Sequence, residues 1–62
     1  MKIGIWNAVV ASHRLMGIIF TEHMNEPDSI RARMAEEYPF SKMTHDDREI
    51  VIALAWRLAW SP

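Results

Sequence analysis

Apolar residues recur along this chain with helical rather than alternating spacing. The densest run is Ile50–Trp60, which holds ten apolar residues and the single charge of Arg57. Thr44 precedes this run and can accept a hydrogen bond from the unpaired N–H groups of a first helical turn. The pattern predicts a helix over Thr44–Trp60. Its apolar run is shorter than the roughly 20 residues that a membrane-spanning helix needs.

That helix is predicted to be apolar on two sides, whereas a surface helix normally has one apolar stripe. One side carries Ile50, Val51, Leu54 and Leu58, and we assign it to the core of the protomer. The other carries Ile52, Trp56, Ala59 and Trp60. Because Trp is enriched at interfaces, we predict that this second side contacts another molecule, together with Trp6. The alternative is that both sides are covered within one protomer.

A second long helix is predicted over Ile5–Met24. Residues Ile5, Val9, Ser12, Met16, Ile19 and His23 follow the 4,3 spacing of a heptad seam. Since the seam covers under three heptads, it favours packing within a bundle. We expect the Ser12 hydroxyl to donate to a backbone carbonyl and His23 to lie at the solvent-exposed end of the helix. The first five residues fit either a helix or a short strand.

A short middle helix is predicted over Pro27–Glu37. Proline suits the first position of a helix, and Pro39 disfavours a helical conformation of the residue before it. The apolar stripe of this helix is narrow, with Ile30 and Met34 as its main members. The loop that follows is expected to close the end of the core with Tyr38, Phe40 and Met43.

The predicted fold is therefore all-α: one domain over residues 1–62 with a long N-terminal, a short middle and an apolar C-terminal helix. A chain of 62 residues buries only about 60% of the surface that it exposes when unfolded. Small domains compensate with disulfides, a metal or oligomerisation. The chain has no cysteine, which excludes disulfides. We therefore expect a homodimer that forms a helical bundle.

Nothing in the sequence indicates catalysis or cofactor binding. No histidine pairs with another at helical spacing, and no serine lies in a recognisable nucleophile motif. Two clusters mix histidine with acids, Glu22-His23-Glu26 and His45-Asp46-Asp47. We interpret both as solvated surface rather than metal sites. The prediction is a non-enzymatic protein without catalytic residues, cofactor or metal.

The charge pattern leaves two further function classes open. The net charge of −1 gives no basic face of the kind that nucleic-acid-binding domains show. A dimer that gathered Arg31, Arg33 and Lys42 into one patch would still allow a DNA-binding regulator. Trp56 and Trp60 flank Arg57, a pattern also seen in proteins that lie on membrane surfaces. We expect neither nucleic acid nor membrane to be the main partner.

The leading prediction is a cytoplasmic regulatory adaptor that binds a protein target. The N-terminal segment lacks the long apolar stretch and cleavage site of a secretory signal. In its size, helical pattern and lack of cysteine, the chain is similar to small accessory proteins of phages and other mobile elements. Such proteins bind and redirect host proteins. This similarity implies the same mode of action and rests on no sequence motif.

Overall fold

The chain folds into helices joined by short turns. A computed structural model describes residues 4–60, apart from the side chains of Ile5 and Trp6. The described residues form α1 (Ile5–Thr21), α2 (Pro27–Glu36), a 3₁₀ turn (Phe40–Lys42) and α3 (His45–Trp60). The predicted all-helical protomer is confirmed. The conformation of Met1–Ile3 and the side chain of Trp6 lie outside the described residues.

The core lies where α1 and α3 pack against each other, which is the most extensive helix contact in the described chain. Its buried side chains are Ala11, Leu15, Ile19, Ile30, Met34, Phe40, Met43, Val51, Ile52 and Ala55. Ala11 of α1 and Ala55 of α3 are the smallest members of this cluster. α2 and the 3₁₀ turn supply the remaining members and close the core.

The start of α3 follows the predicted cap. The backbone N–H of Asp47 donates to the Thr44 hydroxyl oxygen at 3.2 Å. That bond satisfies one of the N–H groups that the first turn leaves without a partner inside the helix. Asp46 and Asp47 lie in the first turn and Arg57 in the last, where their charges complement the helix dipole.

The inward side of α1 differs from the predicted seam. Ala8, Ala11, Leu15 and Ile19 are buried, whereas Val9 is exposed. The stripe that faces the core is therefore centred one residue before the predicted seam. This stripe combines the small Ala8 and Ala11 with the bulky Leu15 and Ile19. Ser12 is buried within this stripe, and its hydroxyl donates to the carbonyl oxygen of Val9 at 2.8 Å, as predicted.

α1 ends at Thr21 and not at the predicted Met24. His23 has a φ of 53°, in the left-handed region, and this turns the chain out of the helix. The N–H of Met24 then donates back to the carbonyl oxygen of Ile19 at 3.0 Å. This is the bond of a Schellman motif, which usually has glycine at the left-handed position. Met24 consequently folds back and packs against the core.

We expect replacement of His23 by glycine to stabilise the protein by about 0.5–1 kcal/mol. The left-handed conformation costs an L-residue roughly 1–2 kcal/mol, and the extra freedom of glycine in the unfolded chain offsets part of that gain. Urea unfolding measures the difference. His23→Ala is the matched control, because it removes the imidazole but keeps Cβ, and it should leave stability nearly unchanged. A loss of stability in His23→Gly would contradict this account.

The loop after α2 closes the core with two of its three predicted anchors. Phe40 is completely buried and Met43 nearly so, as predicted. The prediction for Tyr38 is wrong, because its side chain is 70% exposed. α2 stops at Glu36, and the 3₁₀ turn directs Phe40 inward while Tyr38 remains outside.

Candidate protein-interaction surface

Two arginines of α2 fix this helix against α1 and α3. The Arg33 Nε donates to both carboxylate oxygens of Glu22, at 3.0 and 3.1 Å. Arg31 donates from Nε and Nη2 to the Glu49 carboxylate, at 2.8 and 2.9 Å. The Arg31–Glu49 contact is bidentate and fixes the geometry of the pair, whereas Arg33 shares one N–H between the two oxygens of Glu22. Both contacts also mark which edges of α1 and α3 face α2.

These contacts shift the pKa values of the side chains that form them. Hydrogen bonds from Arg31 hold the pKa of Glu49 below its ordinary value of 4.5. The same bonds raise the pKa of Arg31 above its usual range. The pKa of Arg33 is also raised, first by Glu22 and then by Glu37, which accepts from it at 3.0 Å. Each charged form is therefore favoured in the folded state.

The Arg31–Glu49 contact should make stability depend on pH. A carboxylate whose pKa is lowered by folding stabilises the native state above its unfolded pKa, and this stabilisation is lost as pH falls through the folded value. We therefore expect Glu49→Gln to be less stable than the native protein at pH 7 and the gap to close from about pH 4.5 downward. Thermal melts across this range measure the gap.

Glu36→Gln is the matched control, because Glu36 lies exposed on α2 and has no ion-pair partner among residues 4–60. It should reproduce the pH profile of the native protein. An equal gap between Glu49→Gln and the native protein at acid and neutral pH would show that this contact adds no pH-dependent stability.

The solvent-facing side of α3 is aliphatic. Ile50 is 49%, Leu54 36% and Leu58 44% exposed. The assignment of this side to the core is therefore wrong, and only its fourth member, Val51, is buried. Val51 packs inward with Ile52 and Ala55. The core side of α3 is thus rotated from the predicted one by part of a turn.

A second apolar stripe lies on α1. Val9 and Phe20 are exposed, and Met16 is half-buried between them. With 3.6 residues per helical turn, these side chains lie on the side of α1 opposite Arg14, which approaches Glu37 at the end of α2. They therefore face away from α2.

The same reasoning places the aliphatic side of α3 away from α2, because Glu49 marks the opposite edge. The two stripes consequently lie together on the uncovered side of the α1/α3 pair. We call this surface the open face. Its apolar members are Val9, Met16, Phe20, Ile50, Leu54 and Leu58. His13 and Asp47 are polar residues at helical positions beside these stripes.

The residues predicted to form an interface occupy mixed positions. Ile52 is only 6% exposed and belongs to the core, while Trp56 and Ala59 are half-buried and pack against it. Trp60 is 52% exposed, and its ring meets that of Trp56 edge-on, with centroids 5.5 Å apart. The structure thus brings the two indoles together, but Ile52 is covered within the protomer. A partner contact of the Trp side stays a prediction.

A groove separates α3 from the start of α2. Its volume is about 450 Å³, and it is lined by Pro27, Arg31, Glu49, Ile52, Ala53, Trp56 and Arg57. The floor is apolar. The ion pair of Arg31 and Glu49 lies in its wall, and Arg57 supplies a cation that has no ion-pair partner among residues 4–60.

Within residues 4–60, no group of three or more histidine and acidic side chains is placed to hold a metal ion. Glu22, a member of one such sequence cluster, instead pairs with Arg33. None of the described helices combines the length and apolarity needed to cross a membrane.

Two of the three cations that a DNA-binding alternative would use, Arg31 and Arg33, form ion pairs within the protomer. Arg31 pairs with Asp28 and Glu49, and Arg33 pairs with Glu22 and Glu37. Neutralised arginines contribute little to the phosphate contacts on which such binding depends.

Sequence reasoning missed the open face because it assigned the aliphatic side of α3 to the core, given the preference of Trp for interfaces, and took the heptad seam as the buried side of α1. The missed members of this surface are Val9 and Phe20 on α1 and Ile50, Leu54 and Leu58 on α3. Alanine positions do not by themselves identify the buried sides, because Ala8, Ala11 and Ala55 face inward while Ala53 is exposed. Comparison with known proteins adds no functional assignment, since the chain matches no family model, no curated protein and no solved structure.

Proposed function

We propose that this protein is a non-enzymatic, protein-binding module that works as a homodimer joined through the open face. The observation that carries the proposal is the pair of exposed apolar stripes, one on α1 and one on α3, on the side of the α1/α3 pair away from α2. Monomeric proteins rarely expose large contiguous apolar patches, and those that exist usually mark interaction sites. The binding role, rather than catalysis, also agrees with the small size of the protomer.

A second copy is the occupant that fits this surface best. α1 and α3 form a two-helix layer that α2 covers on one side only. Stacking two such layers through their open faces gives a four-helix arrangement, the architecture in which apolar stripes of facing helices bury one another. The stripe on α1, from Val9 to Phe20, spans about three helical turns, and the stripe on α3, from Ile50 to Leu58, spans about two.

The size of the surface is also consistent with a dimer. A standard interface buries about 800 Å² on each partner, which is about a fifth of the 4321 Å² of accessible surface of this chain. The open face lies along α1 and α3, the two longest helices among the described residues. A two-fold axis would pair each stripe with a stripe of the other copy, as symmetric dimers require.

The mass of the protein in solution tests the proposal. Gel filtration with light scattering, run from low to tens of micromolar, should give twice the 7.2 kDa of one chain. Dilution should dissociate the dimer into a single smaller species. A mass of one chain at the highest concentration would overturn the dimer, and with it the assignment of the open face.

A further inference from the structure

We propose that the groove between α2 and α3 binds a protein segment in which an apolar side chain is next to an acidic one. This inference rests on the proposed protein-binding function and names the chemistry of the partner. It does not depend on the homodimer, because the groove lies beside α2 and the open face lies on the other side of the α1/α3 pair.

The apolar part of the partner is indicated by the floor of the groove. Ile52, Ala53 and Trp56 form the α3 side, and Pro27 of α2 stands opposite. A volume of about 450 Å³ exceeds one large side chain and is within the range of ordinary ligand sites. The half-buried indole of Trp56 offers the large, rigid contact area that anchors protein interfaces.

The acidic part is indicated by Arg57. Its side chain lines the groove and is exposed, and no carboxylate among residues 4–60 forms an ion pair with it. The other arginine of the groove, Arg31, is already held by Glu49 and Asp28. Of the two arginines in the groove, Arg57 therefore has hydrogen-bond donors available for a partner. A guanidinium can bind a carboxylate through two parallel hydrogen bonds.

A protein segment fits this groove better than a small metabolite. Small-molecule sites usually combine an enclosed apolar pocket with several converging polar groups. Here the groove is open to solvent, and Arg57 is the main polar group that a ligand could bind. An extended or helical segment can place one side chain in the groove and leave its neighbours on the surface, as in other groove-binding peptides.

The test is selection from a phage-displayed library of random peptides against the purified native protein. We expect the enriched peptides to share a large apolar residue with Asp or Glu at a neighbouring position. One enriched peptide, synthesised with a fluorophore, should bind with an affinity that Arg57→Gln lowers by about tenfold or more, the loss typical of a charged hydrogen bond. Arg14→Gln, the same change on α1, should leave binding within about twofold, since it touches no groove residue.

Several results would overturn the proposal. They are the absence of enriched peptides, enriched peptides without an acidic residue, and equal binding by native protein and Arg57→Gln. Repeating the titration with Leu54→Glu, a variant aimed at the open face, separates this proposal from the homodimer. Peptide binding by a monomeric Leu54→Glu supports the groove as a site of its own, while loss of peptide binding by that folded monomer contradicts it.

Discussion

Replacing Leu54 with glutamate should leave this protein folded but monomeric. Leu54 lies near the middle of the α3 stripe on the open face and is already partly exposed in the protomer. Because about a third of this residue is exposed, a glutamate there can direct its carboxylate into water in the isolated protomer. In a two-fold dimer the substitution would bury two carboxylates at the centre of an apolar contact. We expect the dissociation constant to rise at least about 30-fold, or roughly 2 kcal/mol, as measured by light scattering over a dilution series.

Two further variants test whether the loss of the dimer is specific to the open face. Val10→Glu introduces the same charge at a well-exposed apolar position of α1 outside the open face, and it should remain dimeric. Trp60→Glu tests the interface predicted from sequence, because Trp60 is exposed next to Trp56. If Trp60→Glu dissociates the dimer and Leu54→Glu does not, the Trp side is the interface and the open face is not. Circular dichroism of each variant establishes that it is folded.

Replacing Phe40 with alanine should largely unfold the protein at 25 °C. Phe40 is the largest fully buried side chain of the described residues, and truncating a buried phenylalanine costs about 3–5 kcal/mol. A single small core rarely supplies more than about 3–5 kcal/mol in total, so the loss is comparable to the whole stability of the protomer. Far-UV circular dichroism at low concentration should show most of the helical signal gone.

Tyr38→Ala is the matched control for this change, since it removes an aromatic ring two residues away that faces solvent. Its stability should stay within about 0.5 kcal/mol of the native protein, as for most surface substitutions. A cooperative melt of Phe40→Ala near the native midpoint would show that the 3₁₀ turn is peripheral to the core.

Local sequence signals predicted the helices well. Thr44 caps α3 through a hydrogen bond to its hydroxyl, Pro27 occupies the first turn of α2, and Ser12 donates to a carbonyl of its own helix. Each of these signals acts between residues a few positions apart. Their outcome therefore depends little on the rest of the fold.

Which sides of the helices are buried could not be read from bulk alone. α3 has large apolar residues on nearly every side, so hydrophobicity does not distinguish Ile52, which is buried, from Ile50, which is exposed. The buried sides depend on how α1 packs against α3, which brings Ala11 and Ala55 into the core. They also depend on the partners of α2, because Glu49 must reach Arg31. Both are contacts between residues distant in sequence.

The position of α2 on one side of the α1/α3 pair has a consequence for how many targets a dimer engages. If the uncovered sides meet, the two middle helices end up on the outermost layers, and the two grooves beside them point in opposite directions. A short target with two recognition segments could not reach both grooves of one dimer. The assembly would then link two separate target molecules, and adding it to a bivalent target would build chains rather than closed one-to-one complexes.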